Sequence, residues 1–280
     1  MSRRSTRLVS PAVDALRQVD DWPAPRAAVA VVGRGGVLAS RGERDREFRW
    51  ASVTKLLTAT AALVALEEGI VDLDDPAGPP GSTLRHLLSH ASGLPLNEGP
   101  PIAPPGRRRI YSNSGIEAAA DAIARAAEIP FPEYLRAAVT GPLGLSSHLA
   151  GSPAWSYRGT LADLTCVASE LLTPRLVAHE TLDEATATQF EGLTGVLPGF
   201  GRMEPNDWGL GFELRHDKRP HWTGEHNSWR TFGHFGAAGT FLWADPDAGI
   251  ALACLTDLEF GDWAREAWPR LSDSVLEELE

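Results

Sequence analysis

Residues 50–66 read WASVTKLLTATAALVAL, a stretch that is apolar almost throughout and contains neither proline nor glycine. This pattern is typical of a helix that is buried on most of its sides. Ser52 and Lys55 lie three residues apart in its first turn, so their side chains share one face. The stretch therefore predicts a central buried helix with two reactive side chains at its amino-terminal end.

A serine three residues before a lysine, at the start of a buried helix, is an arrangement known from catalysis. The serine attacks an acyl group and the lysine helps to take its proton. Of the 26 lysines and arginines in the chain, only Lys55 and Lys218 are lysines. Arginine stays protonated at any working pH, whereas a desolvated lysine can act as a base. We therefore interpret Ser52 and Lys55 as nucleophile and base, in preference to an ion-paired lysine near a helix start.

The composition is that of an ordinary globular protein, and its charge excludes some classes of partner. The 280 residues are 43% hydrophobic and 22% charged, which is enough apolar material for a sizeable core. A net charge of −11 disfavours nucleic acid and an anionic membrane surface as partners. No apolar run approaches membrane-spanning length, and the first residues lack the apolar core of a signal peptide. We therefore expect a cytoplasmic protein with no membrane partner.

Metal and cofactor sites are not expected from the cysteine and histidine spacing. Cys166 and Cys254 form neither a disulfide framework nor a zinc pattern. His86 and His90 are four residues apart without a nearby third ligand, so we interpret them as hydrogen-bonded helix histidines. Three more histidines recur at intervals that suit neither a helix face nor a strand face, and we interpret them as loop or hairpin residues: His216, His221 and His226.

Strand patterns lie at both ends of the chain and helical patterns fill its middle. Strands are predicted over residues 26–33, 36–42 and 207–216, and as two strands after residue 230 that join at 245–247. Helices are predicted over residues 11–19, 50–66, 82–95, 116–128, 131–145, 161–172, 182–190 and 262–280.

This order predicts an α+β fold, with one antiparallel sheet flanked by N- and C-terminal helices and an inserted, mostly helical subdomain. We expect a single catalytic domain over residues 1–280. Its sheet part would comprise 1–50 and 206–280, and its helical part 51–205. A substrate would lie in the cleft between the two parts.

Two further segments add polar groups that could reach the same cleft. Tyr111 and Asn113 stand in YSN, a loop before an alanine-rich helix. His234 stands on a strand in HFG, followed by Gly236, where a ligand backbone could approach closely. Each segment alone is weak evidence, because Asn113 is an equally good helix cap and a lone strand histidine is more often structural.

Together, and in this order, Ser-x-x-Lys, Tyr-x-Asn and His-x-Gly resemble the motifs of the serine β-lactamase and penicillin-recognising hydrolase family. Within that family the sequence resembles more closely the branch of class C β-lactamases, D-aminopeptidases and family VIII esterases. The flanks LRHLLSHASGLP, APPGRRRIYSN, DWGLGFEL and GHFGAAGTFLWADPDAGIALACLTD extend the resemblance over roughly residues 26–263. The resemblance implies a β-lactamase-like fold and an acyl-enzyme mechanism.

The resemblance also implies roles for individual residues. Ser52 would be the acylated nucleophile. Lys55 and Tyr111 would share the proton transfers, with Tyr111 as the base or relay and its pKa lowered by nearby positive charge. Asn113 would hydrogen-bond the substrate or Lys55.

The remaining implied roles concern substrate binding. The backbone N–H groups of Ser52 and Ala237 would form an oxyanion hole. His234 would replace the lysine of many β-lactamases, and Gly236 completes that motif.

One departure bears on the substrate. Phe235 stands where β-lactam-binding relatives commonly have threonine or serine, and an aromatic ring cannot hydrogen-bond a substrate carboxylate. The sequence therefore favours a serine hydrolase that acts on a small-molecule ester or amide with a hydrophobic acyl group. β-Lactamase, D-Ala-D-Ala carboxypeptidase or D-aminopeptidase activity, acyl transfer, and a non-catalytic binding role on the same fold remain as alternatives. The oligomeric state is not predicted.

Overall fold

The computed structural model describes residues 13–279, so the helix predicted over 11–19 lies partly outside the described residues. The strands, in chain order, are β1 (Ala27–Gly33), β2 (Gly36–Arg41), β3 (Phe48–Arg49), β4 (Arg158–Gly159), β5 (Gly195–Leu197), β6 (Gly201–Met203), β7 (Glu213–Leu214), β8 (Phe232–Gly236), β9 (Thr240–Asp245) and β10 (Ile250–Thr256). The α-helices are α1 (Thr54–Glu67), α2 (Leu84–Leu88), α3 (Asn113–Ala127), α4 (Phe131–Leu135), α5 (Leu161–Leu172), α6 (His179–Ala185) and α7 (Asp262–Leu279). Two 3₁₀ helices span Asp14–Asp21 and Ala51–Val53, and a π-helical segment spans Arg136–Thr140.

Six strands form one antiparallel sheet in the order β2-β1-β10-β9-β8-β7. The pairing of β1 with β10 places Ala27 opposite Thr256 and Gly33 opposite Ile250. The first and last strands of the chain are therefore neighbours inside one sheet. This arrangement confirms the predicted α+β class and the antiparallel sheet.

Both faces of the sheet are covered. Successive side chains of a strand point to opposite faces, so Ala28 and Ala30 of β1 pack into the cluster that contains α1, whereas Val29 and Val31 pack against α7 and the 3₁₀ helix at Asp14–Asp21. Because both faces are buried, β1 is continuously apolar and does not alternate with polar residues.

Helix α1 is buried along nearly its whole length, as the apolar stretch at 50–66 predicts. Leu56, Leu57 and Ala61 are fully buried, and the helix contacts α3, α4 and α6 as well as β8. The α-helix itself begins at Thr54, because residues 51–53 form a tighter 3₁₀ turn. The predicted helix start is therefore four residues too early.

Several other predicted boundaries are wrong. The helix predicted over 82–95 ends at Leu88, because His90 and Gly93 have φ angles of +57° and +85°, outside the helical region. The strand predicted over 207–216 is reduced to the two residues of β7.

The segment after residue 230 forms three strands and not the predicted two. β8 and β9 are joined by a turn that closes with a hydrogen bond from the N–H of Gly239 to the carbonyl of Gly236. The predicted turn at 245–247 joins β9 to β10. The helix predicted over 131–145 is interrupted by the π-helical segment, and the one predicted over 182–190 is α6 at His179–Ala185. Within residues 13–279, no helix combines the length and apolar character needed to cross a bilayer.

Candidate active site

Ser52 lies in the 3₁₀ turn that leads into α1. The carbonyl of Trp50 accepts a hydrogen bond from Thr240 Oγ1 at 2.8 Å, which fastens this turn to the start of β9. Ala51 has a φ of +46°, a conformation that costs a non-glycine residue about 1–2 kcal/mol. Such strain persists where the surrounding structure imposes it, and here it lies next to the predicted nucleophile.

Lys55 is completely buried and its ammonium group meets three oxygen acceptors. Nζ lies 2.7 Å from Asn113 Oδ1, 2.9 Å from the carbonyl oxygen of Ala154 and 3.2 Å from Ser52 Oγ. Burial lowers the pKa of Lys55 to about 7, although the charge of Glu117 opposes this shift. A substantial share of Lys55 is therefore neutral near pH 7, and a neutral amine beside a serine hydroxyl can accept its proton.

Asn113 contacts Lys55, as one of its two predicted roles requires. It is the first residue of α3, and the preceding Ser112 caps that helix by accepting the Gly115 N–H at 2.8 Å. Because Ser112 does the capping, the Asn113 side chain is available to Lys55 and to Asn97, whose Oδ1 it approaches at 3.1 Å.

Tyr111 and His234 meet at one side of Ser52. The His234 Nδ1 lies 2.7 Å from the Phe235 carbonyl, an acceptor only, so Nδ1 carries the proton and Nε2 is free to accept. The Tyr111 hydroxyl lies 3.4 Å from Nε2 and donates to it. Burial and the nearby charge of Lys55 lower the pKa of His234 to about 3, so the imidazole is neutral at working pH.

The expected lowering of the Tyr111 pKa is wrong. Burial raises the pKa of this phenol well above its usual value, and a hydrogen bond with Ser52 opposes the shift only in part. Lys55 Nζ does lie 4.8 Å from the centre of the Tyr111 ring, but its charge does not outweigh the loss of solvent. Tyr111 is therefore protonated in the resting site, whereas Lys55 is the group with a pKa near neutrality.

His90 packs against the Tyr111 ring and helps to position it, a role that the sequence did not reveal. Its Nδ1 accepts the Ser112 N–H at 3.2 Å, and its ring packs 4.8 Å from Tyr111 and 4.5 Å from Trp208. The interpretation of His90 as a helix histidine is wrong, because it lies beyond the end of α2. His86 does lie in that helix, where its Nδ1 is 2.9 Å from Thr83 Oγ1 in a capping box.

At Gly236 the chain's own atoms occupy the place that a Cβ would take. A Cβ at this position would stand 2.6 Å from the Trp50 carbonyl oxygen and 2.6 Å from Thr240 Oγ1. The close neighbour of Gly236 is therefore the chain's own backbone beside Ser52. Ala237, one residue further, lines the same cavity as Ser52.

These groups surround a cavity of about 460 Å³. Its polar lining is Ser52, Tyr111, Asn113, His234 and Arg265, and its remaining lining is Leu96, Leu197, Pro198, Gly199, Trp208, Phe235, Ala237, Phe260 and Gly261. The apolar lining comes from five separate segments, so no local pattern in the sequence could have assembled it. A larger cavity of about 640 Å³ around Trp229 contains none of the predicted catalytic groups.

The second lysine, Lys218, belongs to a buried ionic cluster next to the site. Glu213 of β7 accepts hydrogen bonds from Lys218 Nζ, from His221 Nε2 at 2.9 Å and from Trp222 Nε1 at 2.8 Å. Burial would raise the pKa of Glu213, but the charges of His221 and Lys218 lower it to about 2. The interpretation of His221 as a loop or hairpin residue therefore missed its part in this buried cluster. Of the described residues, no group of three His, Cys, Asp or Glu is placed to hold a metal.

Comparison with known proteins gives matches along nearly the whole chain. The family model described as Beta-lactamase matches residues 15–277. A crystal structure of a beta-lactamase from Mycobacterium bovis is 53% identical with a TM-score of 0.93, and the match covers 95% of this chain and 99% of that one. The structural match confirms the fold predicted from the motifs.

Two more distant relatives match over shorter segments. The D-alanyl-D-alanine-carboxypeptidase/endopeptidase AmpH of Escherichia coli (strain K12) is 29% identical in an alignment of 166 residues, and the match covers 42% of this chain and 43% of that protein. The Monacolin J acid methylbutanoyltransferase of Aspergillus terreus is 28% identical in an alignment of 155 residues, and the match covers 36% of this chain and 37% of that one. Each match spans less than half the length of the relative.

Proposed function

Because the chain belongs to the beta-lactamase family, as its motifs predict, we propose that it cleaves a small-molecule ester or amide through an acyl-enzyme on Ser52. The observation that carries this proposal is the contact between a fully buried Lys55 Nζ and Ser52 Oγ at 3.2 Å. Burial holds the pKa of that lysine near 7, which suits a general base at working pH. A lysine kept only for packing would not need a serine hydroxyl as its neighbour.

In the first step, neutral Lys55 takes the proton of Ser52 as Oγ attacks the substrate carbonyl. The backbone N–H groups of Ser52 and Ala237 bind the resulting oxyanion, a contribution of about 3 kcal/mol per donor in comparable sites. Tyr111, which is protonated, gives its proton to the leaving group and recovers one from the Lys55 ammonium. In the second step a water attacks the acyl group and its proton passes to Lys55. The bond between the acyl carbon and Ser52 Oγ then breaks, Lys55 returns the proton to Oγ, and the carboxylic acid leaves.

The cavity supports a substrate with a hydrophobic acyl group. Phe235 is 8% exposed and stands among aromatic rings, with centroids 5.2 Å from Phe260, 5.6 Å from Trp222 and 5.8 Å from Phe200. This wall offers no hydroxyl that could hold a substrate carboxylate. Apolar walls with a few convergent polar groups are typical of small-molecule sites.

Two other activities are supported by particular relatives. β-Lactam hydrolysis is favoured by the description of the M. bovis structure, and acyl transfer by the name of the A. terreus enzyme. Both use the same nucleophile and base. Phe235 argues against β-lactam hydrolysis, because it lacks the hydroxyl with which threonine or serine holds the substrate carboxylate at this position in β-lactam-binding relatives.

A panel of substrates tests the proposal. Wild type and Ser52→Ala are compared on p-nitrophenyl butyrate, on a chromogenic cephalosporin, and on the butyrate ester with added alcohol as acyl acceptor. Ser274→Ala, a serine in the second half of α7, is the matched control. We expect ester turnover in the wild type and the control, and none in Ser52→Ala. Turnover that survives in Ser52→Ala would refute the assignment, and cephalosporin turnover alone would favour the β-lactamase alternative.

A further inference from the structure

A second cavity, of about 500 Å³, adjoins the cavity of the nucleophile. Leu96, Tyr111 and Pro198 line both cavities. Leu96, Ile102 and Val196 are 48%, 54% and 58% exposed, and they are three of the seven large hydrophobic side chains that stand exposed among the described residues. Exposed apolar side chains collected in one concave place indicate a binding surface, whereas scattered ones need no explanation.

Arg109 and Gly195, which line the second cavity, are held in place by contacts with the protein's own backbone. Arg109 is 2% exposed, and its guanidinium donates to four backbone carbonyl oxygens, those of Ser89, Gln189, Phe190 and Asn206. Its own N–H donates to the carbonyl of Thr194 at 2.8 Å. Gly195 packs so closely against the backbone of Arg109 that a Cβ on Gly195 would lie 2.4 Å from the Arg109 carbonyl oxygen. The cavity is therefore preformed, and Arg109 is occupied by the protein itself.

A different arginine is available to a ligand. Arg108 lines the cavity, is exposed, and makes neither an ion pair nor a hydrogen bond with any residue of the described chain. Arg202 also lines it, but it is paired with Glu204. In a chain of net charge −11, a free arginine beside an apolar surface favours a ligand that is apolar along its length and negative at its end.

The position of Tyr111 indicates which part of the substrate lies in the second cavity. It is the proposed proton donor to the leaving group, and it lines the boundary between the two cavities. The leaving group therefore departs on the side of the second cavity, while the acyl group faces the aromatic wall around Phe235.

From this geometry we propose that the substrate is an ester or amide whose leaving alcohol or amine is elongated, apolar in its middle, and ends in a carboxylate. The apolar part lies across Leu96 and Pro198, and the carboxylate meets Arg108. This inference rests on the proposed function and adds the chemical class of the leaving group.

The experiment compares two butyrate esters that differ only in the end of the leaving group, hexyl butyrate and the butyrate of ω-hydroxyhexanoic acid. Shorter and longer ω-hydroxy acids follow, and kcat/KM is measured by titration of the released acid. The variants are Arg108→Gln, the conservative Arg108→Lys, and Arg107→Gln. Arg107 is the matched control, because it is the exposed neighbour with the same charge that does not line the cavity.

We expect the wild type to prefer the carboxylated ester by about two- to fivefold, the range of a solvent-exposed charge pair. The preference should disappear in Arg108→Gln, persist in part in Arg108→Lys, and equal that of the wild type in Arg107→Gln. Added salt should weaken it, because the charges are exposed.

Equal turnover of both esters by the wild type, or an equal loss of preference in the Arg107 and Arg108 variants, would overturn the inference and leave the proposed function standing. Failure to cleave any ester of the series would remove the proposed function and the inference with it.

Discussion

Lys55 should set the pH dependence of acylation, because its pKa lies near neutrality while its neighbours titrate elsewhere. Burial lowers the pKa of Lys55 to about 7 and that of His234 to about 3. The pKa of His90 is also lowered well below its usual value by burial, and that of Tyr111 is raised. A transition near neutral pH can therefore be assigned to Lys55.

The expected magnitude follows from the share of neutral lysine. About a tenth of Lys55 is neutral one pH unit below its pKa and about nine tenths one unit above it, so kcat/KM should rise about tenfold between roughly pH 6 and pH 8. The sign follows from the shift, because the active form is the deprotonated one and activity is lost as the pH falls. A lysine with an ordinary pKa near 10.4 would instead give a rise that continues to about pH 10 or beyond.

Glu117→Gln provides the perturbation. The charge of Glu117 raises the pKa of Lys55, so its removal should lower that pKa and move the midpoint of the profile to lower pH. Glutamine keeps an oxygen that can accept the hydrogen bond from Ser152 Oγ. Asp121→Asn is the control. Asp121 is exposed and lies one turn further along α3, and its replacement by asparagine removes the same charge.

The profile is measured as kcat/KM for p-nitrophenyl butyrate at constant ionic strength. We expect a lower midpoint in Glu117→Gln and the wild-type midpoint in Asp121→Asn. A wild-type midpoint near that of a solvated lysine, or the same midpoint in Glu117→Gln as in the wild type, would refute the assignment of Lys55 as the base.

Three further changes follow from the site. Tyr111→Phe should lower kcat/KM about a hundredfold for alkyl esters and much less for p-nitrophenyl esters, because nitrophenolate leaves without a proton; a uniform loss on both would argue against a role as proton donor. Glu213→Gln should lower the free energy of unfolding by about 3 kcal/mol in chemical denaturation, since a buried lysine and histidine lose their carboxylate; unchanged stability would contradict the buried ion pair. Gly236→Ala should reduce kcat roughly a hundredfold by pushing the Trp50 carbonyl and the nucleophile's turn out of place. Gly35→Ala, where a Cβ meets nothing within 4 Å, should keep wild-type activity.

The sequence contained enough information to predict the central helix and to select residues that the structure brings together around one cavity. The apolar run at 50–66 has the composition of a helix with no solvent face, and α1 is buried in that way. Ser52 and Lys55 come together because they are one turn apart. Tyr111, Asn113 and His234 were selected because their motifs follow Ser-x-x-Lys in the family's order. None of these three residues would have been informative alone.

What the sequence could not predict depends on contacts between distant segments. The direction of the Tyr111 pKa shift is set by burial against His90 and Trp208, which lie 21 and 97 positions away along the chain. The third acceptor of the Lys55 ammonium is a backbone carbonyl of Ala154, which carries no side-chain signal. In the sequence, Arg109 looks like one of three adjacent surface arginines. In the structure it is buried, and its guanidinium donates hydrogen bonds to four backbone carbonyl oxygens.

The proposed function requires that Ser52 becomes covalently acylated. The most direct measurement is peptide mass mapping after treatment with an alkyl p-nitrophenyl phosphonate, which modifies an activated serine and leaves it only slowly. We predict one adduct per chain, located on the peptide that contains Ser52 and formed more slowly as the pH falls below the pKa of Lys55. An adduct on any other residue, or none at all from a preparation that hydrolyses esters, would contradict the proposed function.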